Sequence, residues 1–449
     1  LKPDAAFSIR NFTNTKQMNS QIRELYEIFK NSPIISTDSR HIEQDCIFFA
    51  LKGENFNGNL FAIDALAQGA KVAVVDDPGI ENVIGIIKVD DVLQALQQLA
   101  IYHRQQLTIP VIGITGSNGK TTTKELIRSV LCKKFKTFAT SGNLNNHIGV
   151  PLSILSITHD IEIAIIEMGA NHQGEIADLC EISQPDFGII TNIGKAHLEG
   201  FGGFDGVIKT KTELYKYIEY RQGKLFVNGD DPLLMEKSSG IERVLYGSSE
   251  NNSLNGKITK KFPFVNIELN INGKMHQVNS NLIGSYNYSN IMAAACIGNY
   301  FGITPELIKQ EISSYKPENN RSQWIETANN KIILDAYNAN PSSMKLALEN
   351  FAESPYPRKI VILGDMLELG DYAKPEHESI IELAIHFDFE KIIFVGKNFK
   401  EFASPSQKSE TFIDVISAKK ELEKINLKKY TILLKGSRGV KLEKLLEVL

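Results

Sequence analysis

Short apolar runs alternate with amphipathic stretches along almost the whole chain. Apolar positions at helical spacing between Gln21 and Lys30 predict a helix that leads into Ile34-Ile35. Cys46-Ile47-Phe48-Phe49-Ala50 is an unbroken apolar run and predicts a strand. A helix over Phe61–Gln68, a strand over Lys71–Val75 and a helix over Val92–Gln106 follow. The last must stop before Pro110, because a proline ring disfavours helical geometry in the residue before it, so a domain boundary is expected near residue 108.

From Val111 the runs change character. Val111–Thr115, Ile161–Glu167 and Phe187–Ile193 are short, apolar and closed by polar or glycine-bearing turns, the pattern of parallel strands covered on both faces and linked by helices. Ser248–Lys261 is polar, with Gly and Asn, and is expected to be a surface loop. A helix over Asn287–Tyr300 precedes a second boundary near residue 315. Beyond it, candidate strands Lys331–Leu334, Lys359–Leu363, Lys391–Val395 and Thr431–Leu434 again alternate with helices, which predicts a doubly wound sheet. The expectation is three α/β domains in series, 1–108, 109–315 and 316–449, with no internal repeat.

Composition acts mainly by exclusion. The 449 residues are 42 % hydrophobic and 23 % charged, an ordinary globular balance. With 49 basic and 53 acidic residues the formal net charge is −4, which leaves no electrostatic footprint for nucleic acid or an anionic membrane. Phosphate binding must then come from local geometry. Cys46, Cys132, Cys180 and Cys296 show no CxxC spacing and read as reduced core residues of a cytoplasmic protein rather than a zinc site. No run approaches ~18 apolar residues, so no membrane insertion is expected. The opening Leu1-Lys2-Pro3-Asp4 lacks the basic-then-apolar order of a secretory signal.

The chemistry gathers after Val111. Gly116-Ser117-Asn118-Gly119-Lys120-Thr121-Thr122 follows a buried strand and opens a helix. In that context glycines admit backbone N–H groups to a phosphate, the helix N-terminus adds a favourable dipole, and a lysine adds charge. The stricter GxxxxGK[ST] pattern is missed because Ile114 stands where its first glycine belongs; TGxxGKT fits in full. Glu167 ends one apolar strand, where a carboxylate is placed to hold Mg²⁺, or simply to face solvent. His197 closes Thr191–His197 in a similar way. A guanine-nucleotide switch protein would need an NKxD segment, and there is none.

Thr115–Thr123, Gly142-Asn143-Leu144-Asn145-Asn146, Glu167–Ala170, His197-Leu198-Glu199-Gly200 and Asp335–Pro341 (DAYNANP), in that order, resemble the Mur ligases, three-domain amide-forming enzymes of peptidoglycan synthesis. The resemblance spans essentially the whole chain. It implies a UDP-muramoyl-peptide-binding domain at 1–108, a central ATP-binding P-loop domain at 109–315, and a Rossmann-like C-terminal domain at 316–449 that binds the incoming amine and closes over ATP. GNLNNHIGVPL, EMGANHQGEI, DAYNANP and GDMLELG point to the branch that adds D-alanyl-D-alanine to UDP-N-acetylmuramoyl-tripeptide. The DNPR segment expected of the diaminopimelate-adding branch is absent, and folylpolyglutamate synthase shares the middle domain but lacks the muropeptide-type first domain. A ligase adding a single amino acid is the alternative, and a P-loop protein without ligase activity a further one. The enzyme is expected to be a monomer.

Residue by residue, the resemblance implies that Gly116–Thr122 cradle ATP, with Lys120 on the β- and γ-phosphates and Thr121 on the metal. Glu167 and His197 would be Mg²⁺ ligands. Lys211 would be the carbamylated lysine of a second Mg²⁺, with Lys209 as the alternative. Asn145 and Asn146 would line the muropeptide and phosphate region. Asn287 and Asn290 would contact adenine, Arg321 a phosphate and Asp335 the ribose, followed by Tyr337, Asn338 and Asn340 on the substrate. In the first domain Ser39 and Arg40 would meet the UDP-sugar. The chain departs from the family where Tyr286 replaces a common His and where Asn57-Gly58-Asn59 replaces Asp-Gly-His.

Overall fold

The computed structural model describes residues 20–318, 320–425 and 427–449; the opening Leu1–Asp4 lies outside them. The chain forms two compact units. The first takes the chain up to Gly113, with Lys136–Gly169 and Glu175–Asp186. It starts with α1 (Ser20–Asn31), where Ile22, Leu25, Tyr26 and Phe29 make one buried stripe at helical spacing. Next come β1 (Ile35–Ser36), β2 (Ile47–Phe49), β3 (Lys52–Gly53), β4 (Phe56–Asn57), α2 (Ala62–Ala67), β5 (Val72–Val75), β6 (Ile86–Lys88) and α3 (Val92–Gln106). Strands β1-β2-β5-β6 pair in that order and all parallel. Phe48, Ala50, Ala73 and Val75 pack against Ala62 and Ala65 of α2.

β7 (Val111–Thr115) leads into α4 (Lys120–Leu131) of the second unit; β8 (Thr137–Ala139), α5 (Gly149–Leu155), β9 (Ile163–Glu167) and α6 (Glu175–Ser183) belong again to the first. α3 has the span its sequence predicts, and begins where the Asp91 carboxylate accepts the N–H of Gln94 at 2.8 Å. Near its other end the buried Arg104 donates to the carbonyls of Leu107, Ser183 and Gln184 and to the Asp186 carboxylate. Asp186 also accepts the N–H of Val111. One guanidinium thus fastens α3 to the end of α6 and the start of β7.

His103, one position earlier, is buried. Its Nε2 lies 2.8 Å from the Ile157 carbonyl and its Nδ1 3.2 Å from the Tyr26 hydroxyl. A ring that donates to a carbonyl on one side and accepts a hydroxyl on the other is neutral. Burial, with a smaller contribution from His159, holds its pKa below the usual 6.5. The folded state therefore takes up fewer protons than the unfolded one. The stability that follows is present above the unfolded pKa and is lost as pH falls from there towards the folded value. The thermal midpoint is expected to drop between about pH 7 and about pH 5, and His103→Gln to flatten that slope. An unchanged slope in the variant would remove His103 as its source.

The second unit continues with β10 (Phe187–Ile190), α7 (Leu198–Phe201), α8 (Phe204–Lys211), α9 (Glu213–Tyr220), β11 (Lys224–Asn228), α10 (Pro232–Lys237), β12 (Arg243–Gly247), β13 (Leu254–Lys260), β14 (Asn266–Ile271) and β15 (Lys274–Asn279). β10, β11, β12 and β13 run parallel, and β13-β14-β15 form an antiparallel meander. The expectation of a surface loop over Ser248–Lys261 is corrected here, since half of it is β13. Its Leu254 and Gly256 are buried beside more exposed neighbours, an alternation too thin in apolar residues to mark a strand in sequence.

After α11 (Asn287–Tyr300) and α12 (Pro305–Ser314) come β16 (Gln323–Glu326), β17 (Lys331–Asp335), α13 (Pro341–Glu353), β18 (Lys359–Gly364), α14 (Ala373–His386), β19 (Lys391–Val395), α15 (Lys397–Phe402), β20 (Ser409–Phe412), α16 (Val415–Ile425) and β21 (Thr431–Lys435). The strand order is β16-β17-β21-β18-β19-β20, parallel except for the edge strand β16. Alternate residues Ile332, Leu334, Ile360, Ile362, Ile432 and Leu434 face α16 and the C-terminal Leu442, Leu445 and Leu449. β21 therefore lies between β17 and β18, while the chain reaches it from α16. This is the doubly wound arrangement, with its crevice at the carboxyl ends of the strands.

Candidate active site

The loop after β7 is shaped by two glycines. Gly116 has φ +144, and a Cβ there would stand 2.0 Å from the Thr191 hydroxyl. Gly119 has φ +77 as the N-cap of α4, and its Cβ would stand 2.7 Å from the Asn290 side chain. Neighbouring loops hold the backbone between them. Ser117 donates its N–H to the Asn192 carbonyl and exchanges hydrogen bonds with Gly194 through its hydroxyl. The Asn118 N–H meets the Asn192 side chain, and the Asn118 carbonyl accepts from Thr191 and Asn192. The expected strand over Phe187–Ile193 stops at Ile190 because Thr191 and Asn192 are engaged this way. Lys120 arches back so that its ammonium donates to the Gly116 carbonyl at 2.6 Å. Thr121 and Thr122 are half-buried in the first turn of α4.

Asn287 and Asn290 are almost fully buried and bonded to each other. Asn290 also accepts from Thr123 of α4, and Asn287 donates to the Ile283 carbonyl. Their described contacts are with the scaffold that carries the loop. The Tyr286 hydroxyl lies 3.0 Å from that of Ser322, and burial pushes this phenol well above its usual pKa.

Four further contacts join the loops after β7 and β10 to the helices and loops around the last sheet. Asn340 donates to the Asn118 side chain at 2.8 Å while capping α13 through the N–H of Ser343. Ser342 accepts the Lys195 N–H, and the Lys195 ammonium pairs with Glu376 at 2.6 Å. His197 pairs with Glu368, and that bond holds the carboxylate below its usual pKa. Both residues have left-handed backbone, φ 51 and 63, which is uncommon outside glycine and concentrates at functional sites. Ser342, Glu368, Glu376 and Asn192 were not singled out from sequence, although GDMLELG contains Glu368.

At the end of β17, Asp335 accepts from the buried Lys435 and from the N–H of Ser322. Arg321 lies 3.6 Å and Arg438 5.5 Å from the centre of the Tyr337 ring. Asn338 is exposed, its side chain accepting the N–H of Ala339. Lys211 closes α8 with only 1 % of its surface exposed and its ammonium 5.2 Å from the Phe201 ring centre, whereas Lys209 is exposed.

In the first unit, Glu167 ends β9 buried at 2 % exposure. It accepts from Asn145 at 2.9 Å, and its N–H goes to the Thr140 hydroxyl. Asn146 accepts the N–H groups of Ile148 and Gly149 where the chain enters α5. Ser39 is half-buried, and the exposed Arg40 forks onto Asp38 through two nitrogens. Asn59 is buried, bonded to Asn57 and exchanging hydrogen bonds with Asp76, which also pairs with Lys52.

The sequence matches known proteins over most of its length. Residues 33–104 match the Mur ligase family catalytic domain, 114–298 the Mur ligase middle domain, and 320–438 the Mur ligase glutamate ligase domain. The UDP-N-acetylmuramoyl-tripeptide–D-alanyl-D-alanine ligase of Bacillus subtilis is 37 % identical over 425 residues, covering 92 % of each chain. The chain belongs to the Mur ligase family. The Escherichia coli ligase of the same name is 33 % identical over 92 % of this chain and 93 % of its own.

Solved Mur ligases share the fold. MurF from Acinetobacter baumannii superposes with a TM-score of 0.86 at 32 % identity, covering 95 % of this chain and 97 % of its own. MurF from Thermotoga maritima, in complex with ADP, gives 0.83 at 28 % identity over 96 % and 98 %. The three-domain Mur architecture expected from the sequence is therefore the fold of this chain. No helix among the described residues is long and apolar enough to cross a membrane.

Proposed function

We infer that this Mur ligase uses ATP to join D-alanyl-D-alanine to UDP-N-acetylmuramoyl-tripeptide, a step of peptidoglycan precursor synthesis. The observation that carries the reading is the match to ligases of that name over 92 % of the chain. The glycine-built loop at the end of β7 fits it, since a carboxylate must be activated before an amine can displace its oxygen. ATP does this by transferring its γ-phosphoryl group to the terminal carboxylate of the tripeptide. The amine of the dipeptide then attacks the acyl carbon, and phosphate leaves.

Phosphoryl transfer asks for in-line positioning and neutralised charge more than covalent help. We assign Gly116, Ser117, Asn118, Gly119, Lys120, Thr121 and Thr122 to the phosphates, Arg321 to a phosphate, and Asp335, Asn287 and Asn290 to the nucleoside side. For Asn287 and Asn290 that role is through the scaffold contacts above as much as through the base. Asn145, Asn146, Tyr337, Asn338 and Asn340 are assigned to the substrates, and Ser39 and Arg40 to the UDP-sugar, within the domains 1–108, 109–315 and 316–449.

Among the described residues no three His, Cys, Asp or Glu side chains gather as a complete protein-made metal site. Mg²⁺ beside a nucleotide keeps waters and phosphate oxygens and needs only one or two hard oxygen donors from protein, the kind of donor that the Thr121 hydroxyl and the Glu167 carboxylate each carry. His197 is the further ligand in this assignment. The buried Lys211, rather than the exposed Lys209, suits carbamylation and a second ion. Bound there, Mg²⁺ would neutralise the charge spreading over the transferred phosphoryl group. We place the enzyme in the cytoplasm as a monomer acting on soluble small molecules.

The reading is tested by phosphate release with ATP, Mg²⁺ and UDP-N-acetylmuramoyl-tripeptide, adding D-alanyl-D-alanine or single amino acids in turn. Sustained release with a product mass gain equal to the dipeptide is expected. Turnover with a single amino acid instead would overturn the substrate assignment and leave the family standing.

A further inference from the structure

Just before β16 the chain turns on two residues with left-handed backbone, Asn320 (φ 58) and Ser322 (φ 47). Neither is glycine, and such strain persists only where the surroundings over-determine it. The bonds that hold this turn run to the end of β17 and to the start of α11. The Asn320 carbonyl accepts the N–H of Ala336, and the Asn320 N–H goes to the Gln323 side chain. Ser322 is buried; its N–H goes to the Asp335 carboxylate at 3.3 Å, and its hydroxyl lies 3.0 Å from that of Tyr286.

Tyr286 has little freedom of its own. Its ring lies against the backbone of Gly284, where a Cβ would stand 2.3 Å from a ring carbon. The next residue, Asn287, gives its N–H to the Gly284 carbonyl and is bonded through its side chain to Asn290. Burial first, and then the charge of Asp335, push the phenol well above its usual pKa. It is therefore a neutral hydroxyl, able to give and to take a hydrogen bond. Tyr286, Ser322 and Asp335 form one chain of bonds that begins beside Asn287 and ends on a carboxylate.

That carboxylate has acceptor capacity to spare. Lys435, its register partner on β21, is 2 % exposed and places its ammonium 2.5 Å from Oδ2 of Asp335. The pairing offsets a negative charge that alone would repel the phosphates of a nucleotide. A carboxylate offers about four lone-pair sites. Among the described residues Ser322 takes one on Oδ1 and Lys435 one on Oδ2, which leaves both oxygens open to a pair of adjacent hydroxyls. We propose that Tyr286, acting through Ser322, is a positioning residue that aims Asp335 at the two ribose hydroxyls of the nucleotide. This rests on the assignment of Asp335 to the nucleoside side.

The experiment measures binding of ADP and of 2′,3′-dideoxy-ADP by calorimetry, for the wild type, Tyr286→Phe, Ser322→Ala and the double variant. The wild type is expected to bind the dideoxy nucleotide at least about tenfold more weakly, the size of a hydrogen bond to a charged group. Tyr286→Phe removes one oxygen and keeps the ring on Gly284. It is expected to weaken ADP about fivefold and the dideoxy nucleotide less than about twofold. Ser322→Ala should give the same pattern, and the double variant should bind no more weakly than either single one, because both act along one chain of bonds. Melting curves show that the variants remain folded. Unchanged ADP binding in Tyr286→Phe, equal losses on the two nucleotides, or additive losses in the double variant would overturn the proposal. If the wild type binds both nucleotides equally, the ribose assignment of Asp335 fails first and takes the proposal with it, and that shows before any variant is made.

Discussion

Lys120→Ala is expected to lower kcat by about 100- to 1,000-fold while the protein still folds, the scale seen when one preorganised donor is taken from a developing negative charge. The side chain starts α4 directly after the left-handed Gly119 and lies over its own loop, its ammonium on the Gly116 carbonyl. From there its charge lies over the loop assigned above to the phosphates of ATP. The ammonium is only partly buried, so stability should change by no more than about 1 kcal/mol. Single-turnover phosphate release beside a melting curve checks both halves. A kcat within tenfold of wild type, in a protein of unchanged midpoint, would remove Lys120 from the chemistry. Lys120→Arg should rescue little, because a planar fork cannot occupy the place of a compact ammonium.

Gly116→Ala should do comparable damage by a different route. The residue combines φ +144 with a Cβ position 2.0 Å from the Thr191 hydroxyl and 3.1 Å from the Thr191 nitrogen. That hydroxyl cannot simply swing away, since it holds the Asn118 carbonyl at 2.6 Å. Either the loop shifts or the loops after β7 and β10 part. The expected cost is about 3 kcal/mol or more, from strain and overpacking together, with loss of ADP binding. Gly202→Ala is the control. Its φ is +71 and nothing stands within 4 Å of the added carbon, so only the left-handed penalty of about 1 kcal/mol applies. Calorimetric ADP binding and thermal midpoints of the pair separate overlap from backbone strain, and equal effects would contradict the steric account.

The sequence by itself determined the elements with strong period and clear ends. α3 and β19 have the spans predicted for them, because an N-cap, a following proline or an unbroken apolar run acts within a few residues. It also determined the strand, loop and helix around Gly116–Lys120, because these are contiguous in the chain. Weakly patterned strands such as β13 escaped, since their stability comes from pairing with β12 and β14 rather than from their own side chains. The site was legible as a set of residue types and not as an arrangement. Only the tertiary structure decided that Asn287 and Asn290 brace the loop's helix, that Glu368 takes His197, and that Arg321 and Arg438 meet on Tyr337. Those partners stand far apart in the chain, and their meeting depends on how parallel strands are ordered in a sheet. A local pattern of apolar and polar residues carries the pleat and the turn of each element, but not which strand lies beside which.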